Sequence, residues 1–369
     1  MNQINKIFIT LLTIEIVVGG GGRLLDPFNL PPLRYFLFAI AIFIFALNLV
    51  SLNARFKNGS LVTILMILAL PIYGCLIGVL NGNGLSDIAF DLQPYLYIFI
   101  LFYLCSLNDK LTEHSLTIFI SATKIFSVFA SVVYICYVLL LKGGVLNFNS
   151  LYNSFSLTQE FIFRPSGAFF AKSFFFIGIG ALFFFIEKKY FLFVFSMVAL
   201  FLTETRGVFL FAGIAVLLAS LRLNGAMKNA AYIGLALAAG FALMILVGDR
   251  AGDSDSVRVN DFNFVIGAMD GLASIFGHGF GTQILDRGRI EVVPLELLYK
   301  TGVFGLVLSA IPIVILSLST LIKSYTIRKL QIVCALIFAA GVSITNPFLY
   351  TPMGIFVIAM AINSNKKSS

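Results

Sequence analysis

"FLTETRGVFL", Phe201 to Leu210, places Glu204 and Arg206 between two apolar runs, Tyr190–Leu202 and Gly207–Leu221. Each run is roughly 14 residues long, and a helix of that length reaches about 21 Å, whereas the core of a bilayer is about 30 Å thick. We therefore expect this turn to lie below the level of the lipid headgroups. A charge at that depth is stable only beside a partner or in a water-filled cavity.

The whole chain has the character of these runs. Its 369 residues are 59% hydrophobic and 11% charged, with a mean hydropathy of +1.00, whereas a soluble domain is about half apolar and a quarter charged. The composition predicts an all-α polytopic integral membrane protein, because the apolar runs suit helices rather than barrel strands. Basic residues that flank membrane spans explain the net charge of +8 better than nucleic-acid binding does.

The apolar runs predict about twelve membrane spans in one transmembrane domain, residues 1–369. The predicted spans are Ile7–Val18, Leu33–Leu52, Ser60–Leu80, Ile88–Leu107, Ser115–Leu141, Ala168–Ile186, Tyr190–Leu202, Gly207–Leu221, Asn229–Val247, Val303–Leu321, Leu330–Ile344 and Tyr350–Ile362. The cysteines lie in apolar runs without a pairing motif, so we expect small buried side chains, with no disulfide and no metal. They are Cys75, Cys105, Cys136 and Cys334.

An even number of spans leaves both termini on one side of the membrane. The tail "NSNKKSS" makes that side cytoplasmic, because loops rich in Lys and Arg stay inside. Two long loops, Lys142–Gly167 and Gly248–Lys300, then lie outside. The second should contain a helix along the membrane surface, near Val257 to Met269. We expect one face of it to carry Phe262, Val265 and Ile266 and another to carry Asp261.

The outer segments are poor in Lys but rich in Arg, against the usual charge bias. Arginine has a planar guanidinium that binds phosphate at two points. The distribution therefore predicts an anionic ligand at the outer face, such as a lipid-linked phosphate or pyrophosphate. Alternatively, these arginines pair with outer acids such as Asp253, Asp255 and Asp286. The outer or boundary arginines are Arg23, Arg34, Arg164, Arg206, Arg250, Arg258, Arg287 and Arg289.

The local sequence of two of these arginines, Arg206 and Arg164, indicates where their side chains lie. We expect Arg206 to line a cavity open to the outside; the alternative is a polar hairpin tip whose charges snorkel to the interface. In "FIFRPSGAFFAKSFFFIGIGA", Pro165 and Gly167 force a turn just before a span, and Arg164 sits at its mouth. The turn alone fits a ligand contact and a snorkelling anchor equally well.

Two candidates for acid–base chemistry lie in the second outer loop. In "IFGHGFGTQ", glycines flank His278, so the backbone could approach a ligand and expose its amide groups. His278 is then either a general base or hydrogen-bond donor, or a structural turn residue. Glu291 is the outer carboxylate best placed to deprotonate a sugar hydroxyl. It would equally suit pairing with Arg287 or Arg289.

In order, these segments resemble the bacterial O-antigen polymerase and ligase superfamily, the Wzy-like glycosyltransferases. The matching pieces are "FRPSGAFFAKSF", "TETRG", the Arg258 segment leading to "GHGFG", "LELLYKTGVFGL" and "TNPFLYTPMG". The resemblance covers about Arg164 to Gly354, and the N-terminal part fits by hydropathy only. It implies a membrane glycosyltransferase of GT-C-like architecture in the bacterial inner membrane, with its active site facing the periplasm.

The resemblance also implies the substrate. Glycan units leave an undecaprenyl-pyrophosphate carrier, and family arginines matching Arg164, Arg206 and Arg258 bind the pyrophosphate. Arg250 and Arg289 are further candidates. No cofactor, metal or nucleotide sugar is implied, and a chain-length regulator and a flippase are possible partners.

A polymerase joins units to one another, whereas a ligase attaches the chain to lipid A core. Where ligases carry a His-Asn pair before the "TG" step, this chain has Glu291 and Val292, which favours a polymerase. Glu291 or His278 would be the base. A flippase is a third possibility, but no internal repeat of the kind typical of transporters is visible.

Overall fold

Long apolar helices form most of the chain in the computed structural model. It describes residues 2–23, 30, 32–51, 56–158, 160–164, 166–222, 253–322 and 326–366; the predicted span Asn229–Val247 and the candidate Arg250 lie outside these ranges. The helices are α1 (Asn2–Gly19), α2 (Leu33–Val50), α3 (Asn58–Leu80), α4 (Leu85–Leu92), α5 (Phe99–Cys105), α6 (Asp109–Lys142), α7 (Phe148–Phe155), α8 (Phe175–Ile186), α9 (Tyr190–Leu202), α10 (Arg206–Ser220), α11 (Asp253–Ala268), α12 (Gly271–Phe276), α13 (Val293–Ile322), α14 (Ile327–Val342) and α15 (Pro352–Lys366).

Within the described residues, six helical segments are long and apolar enough to cross a membrane. They are Asn2–Gly19, Leu33–Val50, Gly59–Leu80, Leu85–Cys105, Asp109–Lys142 and Val293–Ser319. Shorter apolar helices are Lys172–Ile186, Tyr190–Leu202, Arg206–Ser220 and Pro352–Asn365. The chain is thus a multi-pass, predominantly α-helical membrane protein. The number of twelve spans stays a prediction.

A small β-hairpin interrupts the helices. Strands β1 (Phe161–Phe163) and β2 (Phe169–Ala171) pair antiparallel, with Phe161 opposite Ala171. The prediction of a span from Ala168 onward was therefore wrong at its start, because helix α8 begins only at Phe175. Apolar strand residues and apolar helix residues follow one another without a break, so hydropathy alone does not separate them.

Helix α8 forms the centre of the bundle. All twelve of its residues are buried, and it packs against α6, α9, α10 and α14. A helix that is apolar on every side is stable only when other helices enclose it. Its glycines permit this enclosure, because a side chain at Gly178 would collide with the Phe338 ring of α14.

The predicted faces of the loop helix were partly wrong. In α11, Asp261 and Val265 are buried together, whereas Phe262 and Ile266 are about half exposed. Residues four apart share a face of a helix, so this division follows the helical period. Burial of the Asp261 carboxylate is possible because the guanidinium of Arg287 pairs with it.

An ionic cluster links α6, the α8–α9 turn and α14. The Glu187 carboxylate accepts hydrogen bonds from Lys124 (2.7 Å) and Gln331 (3.0 Å), and it pairs with Lys189 (2.7 Å). Burial alone would raise the pKa of Glu187, but these hydrogen bonds outweigh it, so the pKa of this carboxyl lies below its usual value.

All four cysteines are free thiols. Cys105 and Cys334 are buried, as expected, and Cys75 is partly so. Cys136 is exposed on α6, so the expectation of a buried side chain was wrong there. Its neighbours along that face, such as Val132 and Leu139, are also exposed, which is typical of a surface that contacts lipid.

Candidate active site

The hydroxyl of Tyr134 on α6 joins two of the predicted motifs. It accepts a hydrogen bond from the Phe169 amide of β2 and donates one to the Leu202 carbonyl at the end of α9, each at 3.2 Å. The β-hairpin with Arg164 and the turn before Arg206 are therefore attached to one point of α6.

A second tyrosine fixes the turn of the hairpin. The Tyr137 hydroxyl donates to the Gly167 carbonyl at 2.8 Å, and the Arg164 amide donates to the Ala168 carbonyl at 2.7 Å. Gly167 has a φ of 84°, and a β-carbon there would lie 2.7 Å from the Leu141 side chain. Only glycine fits this turn, which holds Arg164 half-buried beside the C-terminal half of α6.

The TETRG turn has alternating exposure. Thr203 and Thr205 are buried, and Glu204 between them is exposed with a left-handed φ of 54°. Arg206 is the first residue of α10 and is half-buried, and the side chain of the preceding Thr205 makes no capping hydrogen bond to this helix. A helix N-terminus beside a guanidinium is suited to an anion.

The turn lies well below the end of α6. Tyr134, which binds the residue before the turn, precedes Lys142 by eight residues. At 1.5 Å per residue this corresponds to about 12 Å along the helix. The turn therefore lies level with the interior of α6, and the expectation that it lies below the lipid headgroups stays a prediction.

The segment 343–351, which contains "TNPFLY", links these motifs to the glycine-rich loop. The Phe348 ring lies 6.3 Å from Phe170 of β2 and 5.2 Å from Phe175 of α8. Further along the segment, the Tyr350 ring lies 5.1 Å from the Tyr95 ring. The Tyr95 ring in turn lies 5.5 Å from the Phe280 ring of the glycine-rich loop. Gly207 faces the same segment, since a β-carbon there would collide with Thr345.

The glycines around His278 serve close packing within the protein. Gly277, Gly279 and Gly281 all have positive φ values, 77°, 84° and 89°. A β-carbon at Gly279 would collide with the backbone of Gly78 on α3, and one at Gly277 with the backbone near Gly302 on α13. The loop is therefore wedged between two helices.

The amides of this loop are not available to a ligand. Those of His278 and Gly279 donate to carbonyls of α13, at 2.9 and 2.7 Å, and that of Phe280 donates to Gly74 of α3 at 2.9 Å. The Gly281 amide donates to Asp91 at 2.8 Å. The expectation that the glycines expose their amides was wrong, because groups on the neighbouring helices accept a hydrogen bond from each of these amides.

The His278 ring has partners inside the protein. Its Nε2 lies 3.2 Å from the Ala268 carbonyl oxygen, and its ring centroid lies 4.5 Å from that of Tyr299. The side chain is half-buried. These contacts fit a structural turn residue, and a role as general base stays a prediction.

Glu291 pairs with a different arginine than expected. Its carboxylate lies 3.0 Å from the guanidinium of Arg258 on α11, and 62% of its side chain is exposed. Arg287 instead pairs with Asp261, and the Arg289 guanidinium covers the Phe90 ring at 4.5 Å and donates to the Phe90 carbonyl. The structure thus brings together two predicted site residues, Arg258 and Glu291, on adjacent elements.

A buried lysine that sequence reasoning left without a role holds this loop in place. Lys300 is almost fully buried, and its ammonium donates to Asp91 (2.7 Å), Glu296 (3.1 Å) and the Gly288 carbonyl. The other Asp91 oxygen receives the Gly281 amide described above. The sequence did carry a signal for this contact, because Asp91 and Lys300 are isolated charges of opposite sign in or beside two apolar runs.

The N-terminal arginines have structural partners too. The buried Arg34 donates to the Gly20 carbonyl at 2.7 Å and lies 3.6 Å from Glu15. The Glu160 carboxylate, which precedes β1, accepts the amides of Gly21 (2.7 Å) and Arg23 (2.8 Å). These contacts fasten the end of α1 to the hairpin.

The candidate site thus comprises two regions. The hairpin region, residues 160–171 and 203–207, carries Arg164 and Arg206; the glycine-loop region, residues 253–302, carries Arg258, His278, Arg289 and Glu291. The aromatic rings of segment 343–351 connect them. Together with the apolar helices, these two regions define a multi-pass helical membrane protein with arginine-bearing loops.

Comparison with known proteins identifies the family. Over 362 residues, 98% of this chain and 95% of the relative, the chain is 46% identical to the O-antigen polymerase of Shigella flexneri. The chain belongs to the O-antigen polymerase family. No protein-family profile matches it. No solved structure matches it either.

Proposed function

We propose that this protein polymerises the repeat unit of a bacterial surface polysaccharide. It transfers glycan from an undecaprenyl-pyrophosphate carrier to a hydroxyl of another lipid-linked unit, at the outer face of the inner membrane. The observation that carries this proposal is the attachment of both the Arg164 turn and the Arg206 turn to the Tyr134 hydroxyl. The similarity to an O-antigen polymerase over nearly the full chain supports the same function.

Arg164 and Arg206 bind the pyrophosphate in this mechanism. When the bond between the anomeric carbon and the phosphate oxygen breaks, its electron pair goes to the pyrophosphate, which gains negative charge. Fixed guanidinium groups and the N-terminal amides of α10 stabilise that charge better than water does, because they need no reorganisation. Arg250 and Arg289 complete the set of candidate arginines around the donor.

Glu291 is the proposed base. The acceptor oxygen attacks the anomeric carbon as its proton passes to the Glu291 carboxylate, and from there to water or to the leaving pyrophosphate. Pairing with Arg258 orients the Glu291 carboxylate, while its exposure leaves it accessible to a sugar hydroxyl. Arg258 therefore positions the base and adds positive charge near the donor. His278 is the alternative base.

Polymer formation by the purified protein tests the function. Lipid-linked repeat units alone should yield a ladder of carrier-linked chains. A protein that leaves these units unjoined but transfers preformed chains to lipid A core would be a ligase, and the proposal would be wrong. In cells, loss of the gene should leave single capped units, whereas loss of exported units would indicate a flippase.

A further inference from the structure

A groove of about 200 Å³ lies between α6 and the β-hairpin. One wall comes from Phe126, Phe129, Ala130 and Val133, whose spacing of three and four residues places them along one face of α6. The opposite wall includes Phe161 and Phe169, which belong to the two strands. Aromatic and aliphatic side chains therefore line most of its length.

The polar groups lie at the end of the groove near the base of the hairpin. Glu160, Lys172 and Ser173 line this end, where the Lys172 amide donates to the Glu160 carbonyl at 3.0 Å and the two Glu160 carboxylate oxygens already accept the amides of Gly21 and Arg23. Gly19, the last residue of α1, also lines the groove here, and a β-carbon at the nearby Gly21 would collide with the Glu160 carboxylate. Since burial of a polar ligand group would need partners that the apolar walls lack, the groove fits hydrocarbon.

The groove opens onto the lipid-facing surface of α6. Exposed apolar side chains continue along this face on both sides of the groove, from Ile125 through Phe129 to Leu139 and Leu140. Helix α6 is long and apolar enough to span a bilayer. A hydrocarbon chain can therefore enter sideways from the membrane without crossing water.

The same hairpin connects the groove to the proposed pyrophosphate site. Phe169 lines the groove, and its amide donates to the Tyr134 hydroxyl, which also holds the residue before the TETRG turn. Phe163 pairs with Phe169 in the hairpin, and Arg164 follows directly in the turn. A pyrophosphate bound at Arg164 would thus have its attached hydrocarbon chain at the mouth of the groove.

We infer that the groove binds the first isoprenoid units of the carrier lipid, next to its pyrophosphate. This inference rests on the proposed function and adds a site for the tail of the donor. The aromatic walls suit a branched, unsaturated chain, whose methyl groups fill the spaces between rings. A groove of this volume holds a short part of the chain, and the rest remains in the bilayer.

A matched pair of substitutions on α6 tests the inference. Val133 lines the groove, whereas the adjacent Val132 is not among its lining residues, and both are exposed, 51% and 43%. Val133→Trp fills the groove without disturbing the core, and Val132→Trp adds the same bulk to the lipid-facing surface. We expect Val133→Trp to raise the KM for polyprenyl-linked repeat units about tenfold, the effect of displacing roughly two CH₂ groups.

A substrate without a tail separates the groove from the rest of the site. With a repeat unit whose pyrophosphate carries a methyl group in place of the polyprenyl chain, Val133→Trp, Val132→Trp and the wild type should have the same KM. If the two tryptophan variants instead behave alike with the polyprenyl substrate, the groove does not bind the tail and the inference is wrong.

Photocrosslinking identifies the occupant directly. Polyprenyl pyrophosphate with a benzophenone near its first isoprenoid units, and with no sugar, should label the α6 peptide around Phe129. Unlabelled polyprenyl pyrophosphate should compete, and phosphatidylglycerol should not; equal competition would mean an ordinary lipid crevice and would overturn the inference. Selective competition in a protein that forms no polymer would support the groove and contradict the proposed polymerase function.

Discussion

The two regions of the candidate site are held in place by different chemistry. In the hairpin region, the uncharged hydroxyls of Tyr134 and Tyr137 fix the backbone of the turns that carry Arg164 and Arg206. In the glycine-loop region, ion pairs fix the structure, and Lys300 with Asp91 is the most buried of them. The turns of the proposed pyrophosphate site are therefore held by neutral groups, with the Glu160 carboxylate acting only at the base of the hairpin, whereas the loop that carries the proposed base is held by ion pairs.

The largest expected effect comes from removing the charge of Glu291. Glu291→Gln keeps the size and hydrogen bonding of the side chain, and we expect it to slow polymer formation by about 10²–10⁴-fold, as is typical of general-base loss, with donor affinity largely intact. Purified protein with lipid-linked units provides both measurements. A Glu291→Gln protein of wild-type rate beside an inactive His278→Ala protein would make His278 the base.

Lys300→Met tests the ionic support of the glycine-loop region. It would leave the buried Asp91 carboxylate and the half-buried Glu296 carboxylate without their shared cation, which we expect to cost about 3–5 kcal/mol of stability. Thermal unfolding in detergent measures this loss. Adding Asp91→Asn and Glu296→Gln to Lys300→Met should recover part of it; a triple variant less stable than Lys300→Met would contradict this electrostatic account.

Arg206→Lys tests the hairpin region through its function. Lysine keeps the charge but loses the planar group that contacts phosphate at two points, so we expect polymer formation to fall by about 10²-fold. The protein should still insert and accumulate. Arg222→Lys, at the exposed far end of α10, is the matched control. Unchanged polymer length and amount in Arg206→Lys would argue against a role in binding pyrophosphate.

Tyr134→Phe tests the uncharged support of the hairpin region, as Lys300→Met tests the ionic support of the glycine-loop region. It deletes one oxygen and leaves the Phe169 amide and the Leu202 carbonyl without this partner, which we expect to cost about 1–3 kcal/mol, less than Lys300→Met. The same unfolding measurement compares the two. Equal losses in stability would mean that the two regions do not differ in the way proposed.

The smallest effect concerns the Glu187 cluster at the other end of the bundle. Because the pKa of this carboxyl is lowered in the folded protein, its contribution to stability is present above about pH 4.5 and is lost as the pH falls below that value. Unfolding temperatures between pH 6 and pH 3.5 should fall less steeply for Glu187→Gln than for the wild type. Identical slopes would show that other groups dominate in this range.

The helices could be predicted from the sequence, and their contacts only in part. Tyr190–Leu202 was predicted with the bounds that the structure has, because a polar turn marks both of its ends. The hairpin before α8 was missed because its strands are as apolar as the helix that follows. The contact between Asp91 and Lys300 joins residues 209 positions apart, so no local pattern reveals it.

The same limit applies to the candidate site. Sequence motifs identified Arg164, Arg206, Arg258 and Glu291, but the pairing of Glu291 with Arg258 rather than Arg287 or Arg289 follows from how α11 packs beside α13. The glycines around His278 do allow a close approach of the backbone, but the prediction assigned that approach to a ligand. Sequence could not tell that the approaching groups are helices α3 and α13 of the protein itself.

The groove beside the hairpin also has an optical consequence. The chain contains 13 tyrosines and no tryptophan, so its native fluorescence comes from phenol rings. A tryptophan at position 133 would be the sole indole of the protein, placed against the groove. The wavelength of its emission and its quenching by brominated hydrocarbon chains would then report which lipid contacts it. This measurement could be made during turnover, without any label attached to the protein.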